Sequence, residues 1–193
     1  MAKATHVEPG DDRGVHPEPG DDRGIHVEPG DDRGVHREPE LGDDRGMHGN
    51  RHGNHMNGGL GDDHMFGEAG DDNLHGGRGH DMLNGGTGAD TFVFAKLEDS
   101  TVHQAGRDII EDFHHEQHDR VDLRGIDADT HHGGNQAFHF IDDHAFGRHA
   151  GELRAAFSGA DTVLSGDVNG DGKADFAITL KGHVSFHAGD ILL

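Results

Sequence analysis

The sequence contains no cysteine, and this absence removes several classes of protein at once. Without cysteine there is no disulfide framework and no thiolate zinc finger, so thiolate metal sites are excluded and hard and borderline ligands are left. The sequence also has no apolar run that approaches the roughly 20 residues of a membrane-spanning helix. Its N-terminus, MAKATHVEPG, lacks the charged-then-apolar order of a cleaved signal peptide. We therefore expect neither membrane insertion nor export by the general secretory route.

Basic residues are scarce. Lys and Arg together number 16 against 38 for Asp and Glu, which gives a formal net charge of -22. Binding to nucleic acid or to an anionic membrane needs clustered Lys and Arg, so the charge balance argues against both partners. Metal cations are the natural partners of such a chain. Repulsion between the carboxylates disfavours a compact state until cations bind, which predicts folding that depends on metal.

Aromatic residues and proline are unevenly distributed. All ten Phe lie at Phe66 or later, and all five Pro lie at Pro39 or earlier. The chain of 193 residues is long enough for one or two domains with a core. We expect the core in the C-terminal half, while the N-terminal quarter must be held by something other than apolar burial.

Histidine, in contrast, is abundant, with 21 residues, and four of them mark a decapeptide that recurs four times between Thr5 and Gly46, as in VHPEPGDDRG and IHVEPGDDRG. Each copy has a histidine and, two positions later, a glutamate. In an extended strand these two side chains share a face, and stacked repeats would align them into ladders of metal ligands. The ladder residues are His6, Glu8, His16, Glu18, His26, Glu28, His36 and Glu38.

The ligand types favour a transition metal, because calcium prefers an all-oxygen shell. Adjacent strands lie about 4.8 Å apart, close to the roughly 3.3 Å between two ligand atoms on a tetrahedral zinc, and side-chain tilting can close the difference. Copper and nickel bind such ligands as tightly, so only availability favours zinc. The alternative is a solvated face of a polar solenoid. Further zinc candidates are His48, His52, His55 and His64.

Five contiguous nonapeptides follow: GNRHGNHMN, GGLGDDHMF, GEAGDDNLH, GGRGHDMLN and GGTGADTFV, over residues 49–93. They match GGxGxDxUx, with U apolar, which is the pattern of the calcium-binding parallel β-roll. A flexible glycine-rich linker would not keep phase over five units. The first copy is degenerate, with Asn54 at the aspartate position, and its calcium site is doubtful. The candidate calcium ligands of the other four are Asp63, Asp72, Asp81 and Asp90.

From Ala95 onward the repeats stop and short alternating segments predict strands near 91–94, 120–123, 137–141 and 176–180, with a helix only near 151–156. These strands are expected to cap the open end of the solenoid. A separate loop carries oxygen side chains at the spacing of the first part of an EF-hand-type calcium loop, although it would equally form a tight turn. Its candidate ligands are Asp167, Asn169, Asp171 and Asp175.

The motifs GGTGADTFVF, DIIEDF, DRVDLRGIDA, AGELR, GDVNGDGKADFAITL and GDILL occur in this order, and together they resemble the C-terminal RTX region of serralysin-type metalloproteases over roughly residues 58–193. The resemblance implies a calcium-filled parallel β-roll with a β-sandwich-like cap. It also implies an uncleaved C-terminal signal, here Asp190 to Leu193, that is read by a type I secretion system.

The protease activity of that family is not carried over, because the zinc-binding helix motif HExxH is absent. The nearest string, HHEQH at 114–118, lies where the family has a loop, so we expect at most a surface metal site there. We expect no enzyme, and a degenerate protease remnant is the least favoured interpretation.

The sequence thus predicts an all-β protein, a parallel β-roll solenoid with a His-rich N-terminal extension and a C-terminal β-sandwich-like cap. Residues 1–48 would hold the His/Glu repeats, 49–94 the calcium roll and 95–193 the cap with the secretion signal. The expected function is a secreted, calcium-folded protein that binds Zn2+ for extracellular sequestration or buffering. Its partners would be metal ions and the type I secretion machinery, and the oligomeric state stays open. The alternative is a calcium-dependent structural or adhesion module.

Overall fold

The computed structural model describes residues 46–187 and 189–193 of the chain. The decapeptide ladder from His6 to Glu38 lies outside these residues. Thirteen strands are present in them: β1 Gly46–Asn50, β2 His55–Leu60, β3 His64–Glu68, β4 Asn73–Arg78, β5 Met82–Asn84, β6 Thr91–Val93, β7 Ile109–Ile110, β8 Arg120–Asp122, β9 His139–Phe140, β10 Glu152–Ser158, β11 Asp161–Asp167, β12 Phe176–Leu180 and β13 Ile191–Leu192. Two short 3-10 helices, Gln104–Gly106 and His115–Gln117, complete the regular structure, and this part of the chain has no α-helix.

Successive nonapeptides place their strands in two different sheets. The odd strands β1, β3, β5 and β7 pair in one sheet, and the even strands β2, β4, β6 and β8 pair in the other. All these pairings are parallel, and equivalent positions of alternate repeats are in register, as for Met65 with Leu83 and Leu74 with Phe92. Each nonapeptide is therefore half a turn of a solenoid. The predicted parallel β-roll is confirmed.

The core of the roll is one apolar side chain deep. The eighth residue of each repeat points between the two sheets, because alternate residues of a strand face opposite sides. Met65, Leu74, Leu83 and Phe92 are all 0% exposed. The apolar position of the nonapeptide pattern therefore marks the core, as predicted.

Glycine is required in the turns for two reasons. The second residue of the repeat has positive φ, as at Gly77 (φ 99), and this backbone conformation disfavours side chains. A Cβ at Gly77 would also collide with the backbone carbonyl oxygen of Gly59, in the equivalent turn of the same sheet. Glu68 is the exception, since it occupies the same position of its repeat with φ 76. The turn thus holds a glutamate in a conformation that normally selects glycine.

The C-terminal half extends the same two sheets. In one sheet, β12 pairs in parallel with β7, after which β11 and β10 continue antiparallel and β9 forms the edge. In the other sheet, β13 pairs in parallel with β8. The buried side chains of Leu153, Leu164 and Ile178 belong to the same hydrophobic cluster as those of the roll. The strands predicted near 91–94, 120–123 and 176–180 are confirmed, and that near 137–141 is reduced to β9.

The helix predicted near 151–156 is wrong, because this segment is the strand β10. Gly151 has φ 87, which is not a helical conformation, and it turns the chain into the strand. From Glu152 to Ser158 every residue pairs antiparallel with β11. The long-range pairing decides the structure of a segment whose short sequence pattern fits either state.

None of the helices in the described part of the chain is long and apolar enough to cross a membrane.

Replacing Glu68 by glycine should stabilise the calcium-saturated protein by about 1 kcal/mol. The substitution relieves a left-handed conformation that costs a side-chain residue about 1–3 kcal/mol, and greater freedom of the unfolded chain offsets part of the gain. Chemical unfolding at saturating calcium measures the difference. Gly86→Ala is the matched substitution with the opposite expected effect, a loss of stability, since Gly86 has φ 92 and an added Cβ would collide with the carbonyl oxygen of Glu68. A loss of stability in Glu68→Gly would contradict this account of the turn.

Candidate metal centre

The sixth residue of each repeat forms a column of buried aspartates along each edge of the roll. One carboxylate oxygen accepts the backbone N–H of the equivalent residue two repeats earlier. Asp72 Oδ1 lies 2.7 Å from the amide nitrogen of Asn54, and Asp81 Oδ1 lies 2.9 Å from that of Asp63. Asp90 Oδ1 lies 2.9 Å from the amide nitrogen of Asp72. These bonds hold the stacked turns in register.

The second carboxylate oxygen faces a glycine-lined space. The Oδ2 atoms of Asp72, Asp81 and Asp90 are buried and have no hydrogen-bond partner among the described residues. A Cβ at the first glycine of the same repeat would collide with this oxygen, as at Gly76 with Asp81. A buried carboxylate oxygen without a partner is costly, so this arrangement indicates a cation.

Two aspartates that the sequence analysis missed continue the columns. Asp108 Oδ1 accepts the N–H of Asp81 at 3.0 Å, and Asp119 Oδ1 accepts that of Asp90 at 3.0 Å. Asp108 is fully buried, and its Oδ2 is also without a partner in the described part of the chain. Each is followed two positions later by a buried apolar residue, Ile110 or Val121, as in the nonapeptides. That Asp-x-apolar spacing was the available signal.

The fifth residue of the repeat has a separate structural role. Asp62 Oδ1 accepts the backbone N–H of His80 at 2.8 Å, and Asp71 Oδ1 accepts that of Ala89 at 2.9 Å. Each bond joins a turn to its neighbour in the same sheet. The two aspartates of the GDD sequence therefore have different roles. The first hydrogen-bonds to the neighbouring turn, and the second directs a carboxylate oxygen into the buried space.

Burial controls the protonation of the columns. Loss of solvation raises the pKa of Asp72 and Asp81 to about 6, that of Asp90 to about 7 and that of Asp108 to about 9, and neighbouring carboxylates add to each increase. Burial therefore disfavours the charged form of all four carboxylates, most strongly that of Asp108. A bound divalent cation supplies a compensating positive charge.

The donor set of the columns fits calcium. It consists of carboxylate oxygens beside stacked turns whose backbone carbonyls approach closely, and it contains no nitrogen or sulfur. Hard oxygen ligands of this kind are those that Ca2+ takes. In the first repeat, Asn54 Oδ1 accepts the N–H of Asn50 at 2.7 Å. The neutral side chain of Asn54 therefore still bonds to the turn but lacks the negative charge of the aspartate at this position.

The structure places the four described zinc candidates along the first repeats. His48 Nδ1 lies 3.0 Å from Glu68 Oε1, and its ring stacks on Phe66 at 4.7 Å between centroids. His64 Nε2 lies 3.3 Å from Glu111 Oε2. His52 Nδ1 lies 3.1 Å from Asn50 Oδ1, and His55 is exposed. None of the four belongs to a group of three metal-ligand side chains within the described residues, and zinc binding by the complete ladder stays a prediction.

The loop from Asp167 to Asp175 is a hydrogen-bonded turn. Asp167 accepts the N–H of Gly170 at 2.6 Å on one oxygen and that of Gly172 at 2.7 Å on the other. Asp175 accepts the N–H of Val168 at 2.8 Å and the side-chain amide of Asn169 at 2.6 Å. This network is that of the tight-turn alternative, and calcium binding by Asp167, Asn169, Asp171 and Asp175 stays a prediction.

The HHEQH string does not form a zinc-binding helix. Only His115–Gln117 is helical, as a single 3-10 turn, and His118 ends it in a left-handed conformation with φ 70. The HExxH site needs two histidines on adjacent turns of an α-helix, with the glutamate beside them. The geometry of the HExxH motif is therefore not reproduced here.

The two stacked parallel sheets, the buried aspartate columns and the glycine-lined spaces beside them define this chain as an RTX-type calcium-binding β-roll module. The family model described as Peptidase M10 serralysin C terminal matches residues 56–193, and the chain belongs to this family.

Two solved structures are similar to the chain at 28% sequence identity. The AlgE6R3 subunit from the Azotobacter vinelandii mannuronan C5-epimerase has a TM-score of 0.58, with 86% of each chain covered. The AlgE6R2 subunit of that enzyme has a TM-score of 0.55 and covers 80% of this chain and 92% of its own. A search of curated proteins finds no match.

Asp108→Asn should raise the calcium concentration at the folding midpoint by about tenfold or more. The change removes a charged oxygen ligand, and charge-assisted interactions of this kind contribute about 1.5–3 kcal/mol. In calcium-free buffer the same substitution should not destabilise the fold, because it also removes a buried carboxylate with a raised pKa. Circular dichroism during calcium titration measures both. The control is Asp161→Asn, whose exposed carboxylate pairs with Lys181; an equal shift there would refute a specific role for Asp108.

The calcium-free fold should become less stable as the pH rises from about 4 to about 9. The folded-state pKa values of Asp72, Asp81, Asp90 and Asp108 are raised above the ordinary value of about 3.8, so their contribution to stability is complete below pH 4. This contribution to stability is lost as the pH rises through the folded-state pKa values, first at about 6 to 7 and then at about 9. Calcium affinity should rise over the same range, because the metal competes with protons. Urea unfolding at pH 5 and pH 8, with and without calcium, measures this; a calcium-free protein that is more stable at pH 8 would contradict it.

Proposed function

We propose that this chain is an exported, calcium-folded RTX protein whose His/Glu repeats bind zinc, or another transition metal, outside the cell. Its role is to sequester or buffer the metal, and it has no catalytic activity of its own. Calcium builds the scaffold through the oxygen ligands of the aspartate columns, and the histidines provide nitrogen ligands for a second class of site that suits transition metals.

The observation that carries the proposal is the contact between His48 and Glu68. The two side chains lie 3.0 Å apart on β1 and β3, and β1 is the edge strand nearest the decapeptides. Glu68 holds its carboxylate there at the expense of a left-handed backbone, where the repeat pattern calls for glycine. One imidazole–carboxylate pair of the type expected for the ladder therefore lies at the edge that the ladder would extend.

Ligand chemistry separates the two metals. Calcium takes oxygen ligands and fits the buried aspartates, whereas an imidazole beside a carboxylate suits zinc, copper or nickel. The columns are buried, while His48 and Glu68 are more than half exposed. A transition metal can therefore bind to the folded surface without displacing the calcium that supports it.

The proposed export rests on the family, whose members include secreted proteins, and on the calcium chemistry. Where free calcium is low, repulsion between the aspartate carboxylates destabilises the compact state, and a chain that unfolds readily can pass through a secretion channel. Millimolar calcium outside the cell then folds it. In the folded protein Ile191 and Leu192 pair with Val121 and Asp122, so a type I signal at this end would be accessible before folding.

A calcium-dependent structural or adhesion module is the second candidate. The observation in its favour is that both similar structures are subunits of a larger enzyme, the mannuronan C5-epimerase of Azotobacter vinelandii. In that case the histidines would be ordinary surface residues, and zinc would bind neither tightly nor in several copies.

Calorimetric titration of the calcium-saturated chain with zinc separates the two candidates. We expect several zinc ions per chain, because the decapeptides supply four His/Glu pairs. Substituting His6, His16, His26 and His36 together by Asn should remove at least one equivalent. Substituting His131, His132, His144 and His149 by Asn is the matched control and should leave binding by the ladder unchanged. If the first variant binds as much zinc as the native chain, the ladder is not a zinc site.

A further inference from the structure

Three side chains far apart in the sequence meet beside the C-terminal strand. His115 lies in the 3-10 helix His115–Gln117, and His187 and Asp190 immediately precede β13. One ligand atom of each residue lies within 4.8 Å of those of the other two, and no other such group of three occurs within the described residues. His115 Nδ1 is 2.7 Å from Asp190 Oδ1, and His187 Nδ1 is 3.6 Å from Asp190 Oδ2.

The carboxylate at the centre of the group is fixed by the backbone. The side chain of Asp190 is 6% exposed, and its Oδ2 accepts the backbone N–H of His187 at 2.6 Å. Its backbone carbonyl accepts the N–H of Val121 at 2.8 Å, which ties it to β8. Bonds of this kind orient a metal-binding carboxylate in advance.

The 3-10 helix is positioned by the aspartate column. Asp119 Oδ1 accepts the N–H of Asp90, and its Oδ2 accepts the N–H of His114 at 2.7 Å. His114 directly precedes the 3-10 helix, so the end of the column determines where His115 points. The rings of His115 and His187 stack with their centroids 3.9 Å apart. The group is thus built by the folded roll rather than by local sequence.

We propose that His115, His187 and Asp190 bind one divalent transition metal ion, with zinc the best fit among common ions. Two ligand atoms on a tetrahedral zinc lie roughly 3.3 Å apart. His115 Nδ1 lies 2.7 Å from Asp190 Oδ1 and His187 Nδ1 lies 3.6 Å from Asp190 Oδ2, so each imidazole lies near this spacing from one oxygen of the shared carboxylate. Two imidazole nitrogens and a carboxylate oxygen are the ligands that zinc accepts. The histidine side chains are 44% and 58% exposed, which leaves room for water as the fourth ligand.

A metal ion at this site would hold the C-terminal strand β13 against the roll. β13 has only two residues and joins the sheet through bonds such as that from the N–H of Leu123 to the carbonyl of Leu192, at 2.9 Å. Opening of this strand would separate Asp190 and His187 from His115, so metal binding opposes the opening. The site uses none of the decapeptide residues, and it stands or falls independently of the proposed zinc ladder.

The test uses the full-length, calcium-saturated chain in which His6, His16, His26 and His36 are replaced by Asn, so that the ladder does not compete. Zinc is titrated while NMR follows the imidazole signals of His115 and His187 and amide hydrogen exchange at Val121 and Leu123. We expect both imidazoles to shift together with about one equivalent of zinc. Exchange at the two amides should slow by about 100-fold when free zinc is 100 times its Kd.

Single substitutions identify the ligands. His115→Asn and His187→Asn should each abolish the slowing of exchange, whereas His183→Asn should keep it. His183 is the matched control because it lies on the wall of the neighbouring surface cavity but stacks on Phe157 and is not in the group. Imidazole signals that do not move with zinc would overturn the proposal without any variant. Zinc-dependent slowing of exchange that persists in His187→Asn would also overturn the proposal. So would an effect of the substitutions on exchange that is equal with and without zinc, since the group would then be a hydrogen-bonded cluster only.

Discussion

The structure depends on burying carboxylates between stacked turns. Asp72, Asp81, Asp90 and Asp108 each use one carboxylate oxygen to hold the backbone of the equivalent earlier turn, and their other oxygen is buried without a hydrogen-bond partner among the described residues. In the nonapeptides this oxygen faces a space that only glycine leaves open. The core between the sheets is a single layer of apolar residues, so burial alone supplies little stability for each repeat. Bound cations therefore supply the stabilisation that a thicker apolar core supplies in other folds. The repeated aspartate and the repeated glycines of the nonapeptides are both consequences of this arrangement.

The same constraint explains the C-terminal half. Asp108 and Asp119 continue the two columns after the nonapeptide pattern has ended, and Ile110 and Val121 continue the apolar layer. The cap is consequently not a separate body packed on the roll, because β12, β11 and β10 extend one sheet and β13 extends the other. The antiparallel strands cover the roll with a longer core that includes Leu153, Leu164 and Ile178.

Histidine has a different relation to the fold. Several of the described histidines contact carboxylates at the surface, as His48 does with Glu68 and His64 with Glu111. The rings of these two histidines also pack on Phe66. These contacts add little to stability, since exposed ion pairs contribute about 0–1 kcal/mol. The proposed function would combine two kinds of metal chemistry on one scaffold, with oxygen ligands inside the turns and nitrogen ligands outside them.

The sequence by itself determined the roll, the buried position of Met65, Leu74, Leu83 and Phe92, and the aspartates from Asp63 to Asp90, because a repeat that keeps phase specifies stacking through local geometry alone. It also indicated most of the later strands through their alternation. Asp108 and Asp119 were missed because the step between stacked aspartates, 18 residues within the nonapeptides, becomes 27 residues for Asp108 and 29 for Asp119. The segment after Gly151 was misassigned because only its pairing with β11 makes it a strand. The meeting of His115, His187 and Asp190 was decided by the tertiary structure alone. No local pattern encodes a contact between residues 75 positions apart, and the long-range pairing of β13 with β8 creates it.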